Sequence, residues 1–235
     1  MKVGVVTFPG SNGDTDCIET LKLVEGCEPQ LIWHKSTDLM GADALILPGG
    51  FAHGDYLRPG SIAQFSPVMR EVARFAASGG PVLGICNGFQ VLTEAGLLPG
   101  ALLRNQYILF HCAWTHVRVS SNRSPWLEGV EEGTVLRMAV AHGQGNYFAD
   151  TETRRRLVEQ GQVAFEYCDP EGNTSGESNH NGSVDSIAGV TNEAGNILGM
   201  MPHPERSSDP LLGSADGRVL FESLVRSMAA GAVGR

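Results

Sequence analysis

Residues 81–92 read P-V-L-G-I-C-N-G-F-Q-V-L, and this stretch frames a single cysteine with a glycine on either side. The apolar run 82–85 predicts a buried strand, and the residues from Asn87 onward predict a helix. Glycines two places before and after Cys86 let neighbouring backbone pass close to a sharp turn. The stretch therefore predicts a strand that turns abruptly into a helix and projects the Cys86 side chain from the top of a sheet.

The first half of the chain alternates strands with helices around this stretch. Buried strands joined by helices predict a parallel sheet with both faces covered, and ligands of such folds lie at the carboxyl ends of the strands. The helix at 61–78 is expected to bury a face formed by Ile62, Phe65, Val68, Met69, Val72 and Phe75. The predicted strands are 2–8, 30–34, 42–50 and 81–85, and the predicted helices are 15–25 and 61–78.

The second half is richer in strands. Its predicted extended segments are 107–119, 134–141 and 162–168, followed by a hairpin at 186–201 and a last helix at about 216–229. Segment 170–183 is rich in Gly, Asn and Ser, which predicts a mobile polar loop. The predicted fold class is α/β, with a mainly parallel central sheet flanked by helices and an added strand-rich portion. With 235 residues, one domain over 1–235 is expected.

The charge and hydrophobic composition of the chain argue against nucleic acid and membrane as partners. The chain has 17 Lys and Arg against 26 Asp and Glu, for a net charge of -9. The only basic run is 154–156, on a predicted helix, so no nucleic-acid partner is expected. The apolar runs are of strand length and bounded by Gly or Pro, so we expect no membrane association and a cytoplasmic location.

Five cysteines without a C-x-x-C spacing argue against a disulfide framework and a thiolate zinc site. Four of them are expected to be small buried hydrophobic residues: Cys17, Cys27, Cys112 and Cys168. A zinc site at His111, Cys112 and His116 is an alternative. It is disfavoured because a strand points His111 and Cys112 to opposite faces, so no metal is expected.

Cys86 differs from the other four cysteines because it lies at a predicted helix N-terminus. The helix dipole and the free N–H groups there favour thiolate over thiol. The arrangement predicts a nucleophile elbow with sulfur in place of a serine oxygen, and a tightly packed turn with an inert thiol is the alternative.

A base and an oxyanion hole can be proposed from two other segments. In P-H-P-E (202–205), residues two apart in an extended chain point the same way, so Glu205 can hold one nitrogen of His203 while the other faces the thiol. A surface histidine is the alternative. The Asn87 N–H and the backbone at Gly50 in L-I-L-P-G-G-F (45–51) are expected to stabilise an oxyanion.

These motifs together resemble the class I (triad) glutamine amidotransferase family. The stretches 8–16, 48–58, 86–105 and 141–147 more narrowly resemble its purine-synthesis glutaminases, over residues 1 to about 225. The resemblance implies a triad of Cys86, His203 and Glu205, an oxyanion hole at Gly50 and Asn87, and Gln90 near bound glutamine. Gly13 and His53 depart from the expected pattern, and neither is expected to touch the triad.

The resemblance also implies the reaction and the partners. L-glutamine is hydrolysed through a cysteine thioester, and ammonia passes to a large ATP-dependent synthase subunit that amidates formylglycinamide ribonucleotide. A small accessory subunit is a further candidate partner. This chain has no phosphate-binding loop, so ATP and Mg²⁺ are expected on the synthase. Tyr56 and Arg58 are candidates for the partner interface, because interfaces favour such side chains as anchors.

Three alternatives remain. The chain could be another cysteine hydrolase with a similar elbow, although those related proteases and chaperones commonly carry a histidine where Asn87 stands. It could serve a different synthase as its glutaminase. It could also be a catalytically silent adaptor, and reaction of Cys86 with a glutamine-like electrophile would separate that class from an enzyme.

Overall fold

The computed structural model describes residues 1–233 and is built around a nine-stranded sheet. The nine strands are β1 (Lys2–Thr7), β2 (Glu28–Trp33), β3 (Ala44–Leu47), β4 (Val82–Ile85), β6 (His111–Val119), β7 (Val135–His142), β9 (Val163–Cys168), β10 (Ile187–Thr191) and β11 (Ile197–Met200). Two further strands, β5 (Ala101–Leu103) and β8 (Asn146–Phe148), form a small antiparallel sheet. The helices are α1 (Asp14–Lys22), α2 (Pro67–Ala77), α3 (Asn87–Glu94), α4 (Thr151–Glu159) and α5 (Arg218–Val233).

The large sheet has two parts with different pairing, and its strand order is β2-β1-β3-β4-β11-β10-β9-β6-β7. Strands β2, β1, β3, β4 and β11 pair in parallel, and we call them the parallel half. Strands β10, β9, β6 and β7 pair antiparallel and form the antiparallel half. All residues of β3 and β4 are buried, whereas burial alternates along β7, as expected where one face is less covered. The predicted fold class is confirmed.

The predicted helix 61–78 is wrong in its first part. A short 3-10 turn at Ala63–Phe65 precedes α2, which begins at Pro67. Proline suits the first position of a helix, but it restricts the residue before it to an extended conformation, so Ser66 separates the two elements. Phe65, predicted to be buried, is 81% exposed as a consequence.

The predicted strand 107–119 also starts late, at His111. Ile108 has a positive φ of 57°, which no strand accommodates, and residues 107–110 form an exposed apolar loop. Strand β6 pairs with β9 only from His116 onward, so its first residues lie at an edge. Cys112 is therefore exposed, which contradicts its predicted burial, and Cys27 is only half-buried, whereas Cys17 and Cys168 are buried.

The remaining predicted elements are present with shifted ends. The strands at 2–8, 30–34, 42–50 and 134–141, the hairpin and the last helix all occur, and the basic run 154–156 lies on α4. Strands β5 and β8 are too short to be recognised from periodicity. Among the described residues, no helix combines the length and apolar character needed to cross a bilayer.

Candidate active site

Four turns meet at the carboxyl edge of the parallel half. Strands β1, β3, β4 and β11 run side by side in the same direction, so the residues that follow them lie close together. These residues include the turns at 9–10 and 49–50, Cys86 and His203. The pairing of four distant segments thus brings the predicted nucleophile and the predicted base to one place.

Cys86 occupies a sharp turn between β4 and α3. Its φ of 48° and ψ of -102° lie outside the regions that non-glycine residues favour, as at a nucleophile elbow. A side chain on Gly88 would overlap the carbonyl oxygen of Leu47, and one on Gly84 would overlap Leu92. The Cys86 N–H donates to the carbonyl of Met200 at 2.8 Å, which fixes the turn against β11. Both flanking glycines are therefore required by close backbone packing.

His203 and Glu205 form a buried pair. The imidazole Nδ1 lies 2.6 Å from Oε1 of Glu205, and both side chains are almost fully buried. Burial opposes the charged imidazole, but the Glu205 carboxylate and Cys86 outweigh it and raise the pKa of His203 above its usual range. The Nε2 atom has no hydrogen-bond partner within residues 1–233, and the Cys86 thiol donates to the Ala141 carbonyl at 3.8 Å. The thiol is close enough to contribute to the raised pKa of His203.

The backbone that presents this pair differs from the predicted extended segment. Residues Pro204–Arg206 form a single 3-10 turn, which begins at the proline. The His203 N–H donates to the Ala139 carbonyl at 2.8 Å, and the Glu205 carbonyl accepts from the Thr20 hydroxyl at 2.9 Å. Contacts from β7 and α1 therefore orient the two side chains. Because these contacts come from distant segments, they could not be predicted from the alternation of side chains along an extended segment.

Gly13 lies directly against Glu205, the predicted acid of the triad, which contradicts the expectation that Gly13 does not touch the triad. A Cβ on Gly13 would come within 3.2 Å of Oε1 of Glu205 and 3.1 Å of the Gly49 nitrogen. A larger residue here would require a shift beside the buried carboxylate. His53 is the other residue that departs from the family pattern. Its ring packs near that of His34, with the two ring centroids 5.2 Å apart.

Two backbone N–H groups are free to bind an oxyanion. Gly50 follows β3 with a φ of 147°, and a side chain on it would come within 2.8 Å of Gly10 and Asn12. Within residues 1–233, neither the Gly50 N–H nor the Asn87 N–H donates a hydrogen bond to the protein. Their availability fits the proposed oxyanion hole.

Asn87 and Gln90 belong to one polar network. The Asn87 side chain accepts from the Ala52 N–H at 2.9 Å and donates to Oε1 of Gln90 at 3.0 Å. Gln90 in turn donates to the carbonyl of Gln144 at 2.7 Å. Gln90 lines the pocket beside Cys86, but its amide is already bound at both ends, so it serves to position the surrounding loops.

A pocket of about 120 Å³ opens beside Cys86. Besides Cys86 and Gln90, its lining consists of Gly50, Phe51, Asp55, Pro59, Phe110 and residues 141–144, and we call this last segment the 141–144 wall. Neither Asp55 nor the 141–144 wall was predicted as part of the site, although both lie in stretches that carry the family resemblance. The pocket therefore combines the predicted nucleophile with residues from both halves of the sheet.

The 141–144 wall is held by buried side chains. The Asn105 amide donates to the carbonyls of Leu109 and His142, and its oxygen accepts from the Gly145 N–H, all at 2.9 Å. Asn181, which is fully buried, donates to the Gly145 carbonyl at 2.8 Å. The end of the polar loop 170–183 is thus packed under the site.

Tyr56 and Arg58 differ in their surroundings. Tyr56 is 73% exposed. The Arg58 guanidinium makes a bidentate ion pair with Glu94, with distances of 2.7 and 2.6 Å. Tyr56 is free for a partner, whereas Arg58 already holds its loop against the end of α3.

The residues of the zinc alternative do not come together. The ring of His111 stacks on that of His180 with centroids 4.1 Å apart, while Cys112 is exposed. Across the described part of the chain, no group of three His, Cys, Asp or Glu residues has a metal-binding arrangement.

Comparison with known proteins gives one consistent result. The family model described as "CobB/CobQ-like glutamine amidotransferase domain" matches residues 1–219. The subunit named PurQ of phosphoribosylformylglycinamidine synthase from Chlorobaculum parvum is 56% identical, covering 97% of this chain and 91% of its own length. The corresponding subunit from Moorella thermoacetica is 52% identical, over 96% and 95% of the two chains. A chain in the structure of PurLQS from Thermotoga maritima is 38% identical with a TM-score of 0.85, over 97% and 98% of the chains. The chain therefore belongs to the CobB/CobQ-like glutamine amidotransferase family, among the subunits named PurQ.

Proposed function

We propose that this chain is the glutaminase subunit of a phosphoribosylformylglycinamidine synthase in purine biosynthesis. The observation that carries the proposal is the turn at Cys86, which lies beside the buried His203–Glu205 pair and opens onto a small pocket. The similarity to subunits named PurQ supports the identity of the synthase.

The geometry supports a two-step hydrolysis. The Cys86 thiolate attacks the carboxamide carbon of glutamine, and the resulting oxyanion accepts hydrogen bonds from the Gly50 and Asn87 N–H groups. The imidazolium of His203 gives its Nε2 proton to the leaving nitrogen, so the C–N bond breaks, ammonia leaves and a thioester remains. His203 then takes a proton from water, the hydroxide attacks the thioester, and glutamate leaves as the thiolate is regenerated.

Glu205 maintains this cycle by orientation and charge. Its bond to Nδ1 leaves the other ring nitrogen directed at the thiol, and its carboxylate stabilises the charged ring. A raised pKa keeps His203 protonated at neutral pH, so the ring can give its Nε2 proton to the leaving nitrogen.

Ammonia must reach an acceptor that this chain does not bind. We assign ATP, Mg²⁺ and formylglycinamide ribonucleotide to a PurL-like synthase subunit, and a PurS-like small subunit is the proposed accessory partner, since the Thermotoga maritima complex is named PurLQS. The exposed apolar loop 107–110 and Tyr56 are candidates for the interface, because exposed apolar patches mark interaction sites and Phe110 of this loop also lines the pocket. The free thiols fit a cytoplasmic location.

The test is ammonia release from L-glutamine by the chain with and without the synthase subunit. We expect the complex to be active and Cys86→Ala to abolish release while the complex still uses free ammonia. The thermal midpoint of Cys86→Ala should stay near that of the wild type, because alanine keeps the backbone contacts of the turn and removes only one sulfur atom from the buried side chain. Retained glutaminase activity in Cys86→Ala would refute the nucleophile, and an inactive wild-type complex that still binds the synthase would favour the silent adaptor.

A further inference from the structure

Asp55 is a carboxylate in the pocket without a cationic partner. Within residues 1–233, it is the only Asp, Glu, Lys or Arg side chain that lines the pocket. Burial lowers the pKa of His142, the pocket's histidine, to about 3, so that ring is neutral. Within residues 1–233, Asp55 takes part in no ion pair, and its one side-chain partner is the Asn87 amide at 3.3 Å.

The conformation of the loop keeps Asp55 in this place. Its φ is 52°, and the neighbouring His53 and Leu57 also have positive φ values of 55° and 68°. Such conformations are costly for residues other than glycine, and they persist where surrounding contacts impose them. The His53 N–H donates to Pro9 at 2.6 Å, which ties the loop to the turn after β1. The carboxylate is therefore directed by a constrained loop.

The surroundings of Asp55 make its charge unfavourable without a ligand. Burial raises the pKa of Asp55 to about 6, and the hydrogen bond from Asn87 compensates only in part. A half-buried carboxylate with one long hydrogen bond is stabilised by a cation that enters the pocket. Because Asn87 directly follows Cys86, its bond to Asp55 keeps the carboxylate in the same small pocket as the thiol, where a substrate held at Cys86 can reach it.

We infer that Asp55 binds the α-ammonium group of glutamine and makes the site selective for α-amino amides. This inference rests on the proposed function. Glutamine carries its carboxamide at one end and an ammonium at the other, so a substrate with its amide at Cys86 presents a cation to another part of the same pocket. Asp55 is a binding residue in this role and takes no part in proton transfer.

The inference is tested with two substrates and the complex with the synthase subunit. Glutaramate has the carbon chain and amide of glutamine but no α-ammonium. We expect wild type to prefer L-glutamine over glutaramate in kcat/KM by at least tenfold. Asp55→Asn should reduce that preference about 10- to 100-fold, mainly through the KM for glutamine, as expected for a lost hydrogen bond to a charged group.

Two further variants separate recognition from structure. Asp55→Glu retains the charge and should keep more of the preference than Asp55→Asn. Glu131→Gln makes the same chemical change at an exposed position outside the pocket, and it should behave as wild type.

Three results would overturn the inference. In the first, both substrates lose activity in parallel in Asp55→Asn, as a purely structural role would require. In the second, the wild-type complex hydrolyses glutamine and glutaramate with equal kcat/KM, a result that is measured without any variant. In the third, the wild-type complex releases no ammonia from glutamine. Only this third result would also refute the proposed glutaminase function.

Discussion

The two halves of the sheet position their active-site residues by different means. In the parallel half, Cys86 and Gly50 are placed by the backbone itself, through positive φ values and contacts that only glycine permits. In the antiparallel half and its loops, buried side chains such as Asn105 and Asn181 hold the pocket wall by hydrogen bonds. His203 joins the two, since it follows β11 of the parallel half and its N–H bonds to β7.

This difference shows where precision is required. A nucleophile and an oxyanion hole must be held within a fraction of an ångström, and a strained turn between rigid elements achieves this. A pocket wall only shapes and closes the site. We therefore expect changes at the turns to affect catalysis first, and changes in the side-chain network to affect stability and substrate binding.

The largest effect is expected at the residue that joins the halves. His203→Ala should lower kcat about 10⁶-fold, because the triad acts as a unit, whereas Glu205→Gln should lower it about 10⁴-fold, because the amide can still orient the ring. Single-turnover ammonia release measures both. Equal losses would show that the charge of Glu205 matters as much as the imidazole.

Next in size is a change at the elbow. Gly88→Ala places a methyl group on the Leu47 carbonyl, which should cost about 3 kcal/mol of unfolding free energy and displace Cys86. Gly176→Ala is the matched control, since no atom lies within 4 Å of a Cβ there. Urea denaturation and ammonia release check both variants. Wild-type activity in Gly88→Ala would mean that the turn tolerates displacement.

A smaller effect is expected in the side-chain network. Asn105→Ala leaves the His142 carbonyl and the Gly145 N–H without their partners, and it should cost about 2 kcal/mol of unfolding free energy. Because the wall moves and the nucleophile does not, the KM for glutamine should rise more than kcat falls. A loss confined to kcat would contradict the division between the two halves.

The smallest effect concerns the rim. Arg58→Ala removes an exposed ion pair and should change unfolding free energy by less than about 1 kcal/mol, as should Glu94→Gln. If Arg58 also contacts the synthase, Arg58→Ala should weaken stimulation by that subunit more than Glu94→Gln does. Equal effects of the two variants on stimulation would assign Arg58 to loop packing alone.

The amino-acid sequence alone determined the elements that depend on residues close to one another in the chain. The glycines around Cys86, the apolar runs of β3 and β4 and the prolines around His203 act on their neighbours, so the strand-to-helix turn and the parallel sheet could be predicted. Proline at 67 could also have ended the predicted helix 61–78, because its restriction of Ser66 is local as well.

Only the tertiary structure decided the features that depend on distant segments. The contact of Gly13 with Glu205, the exposure of Cys112 at a strand edge and the isolation of Asp55 in the pocket arise where segments far apart in the chain meet. Periodicity reports which face of an element is apolar, but not which element will cover it or which charge will find a partner. The candidate catalytic residues could therefore be predicted from sequence motifs, whereas the contacts that surround and orient them depend on the packing of distant segments.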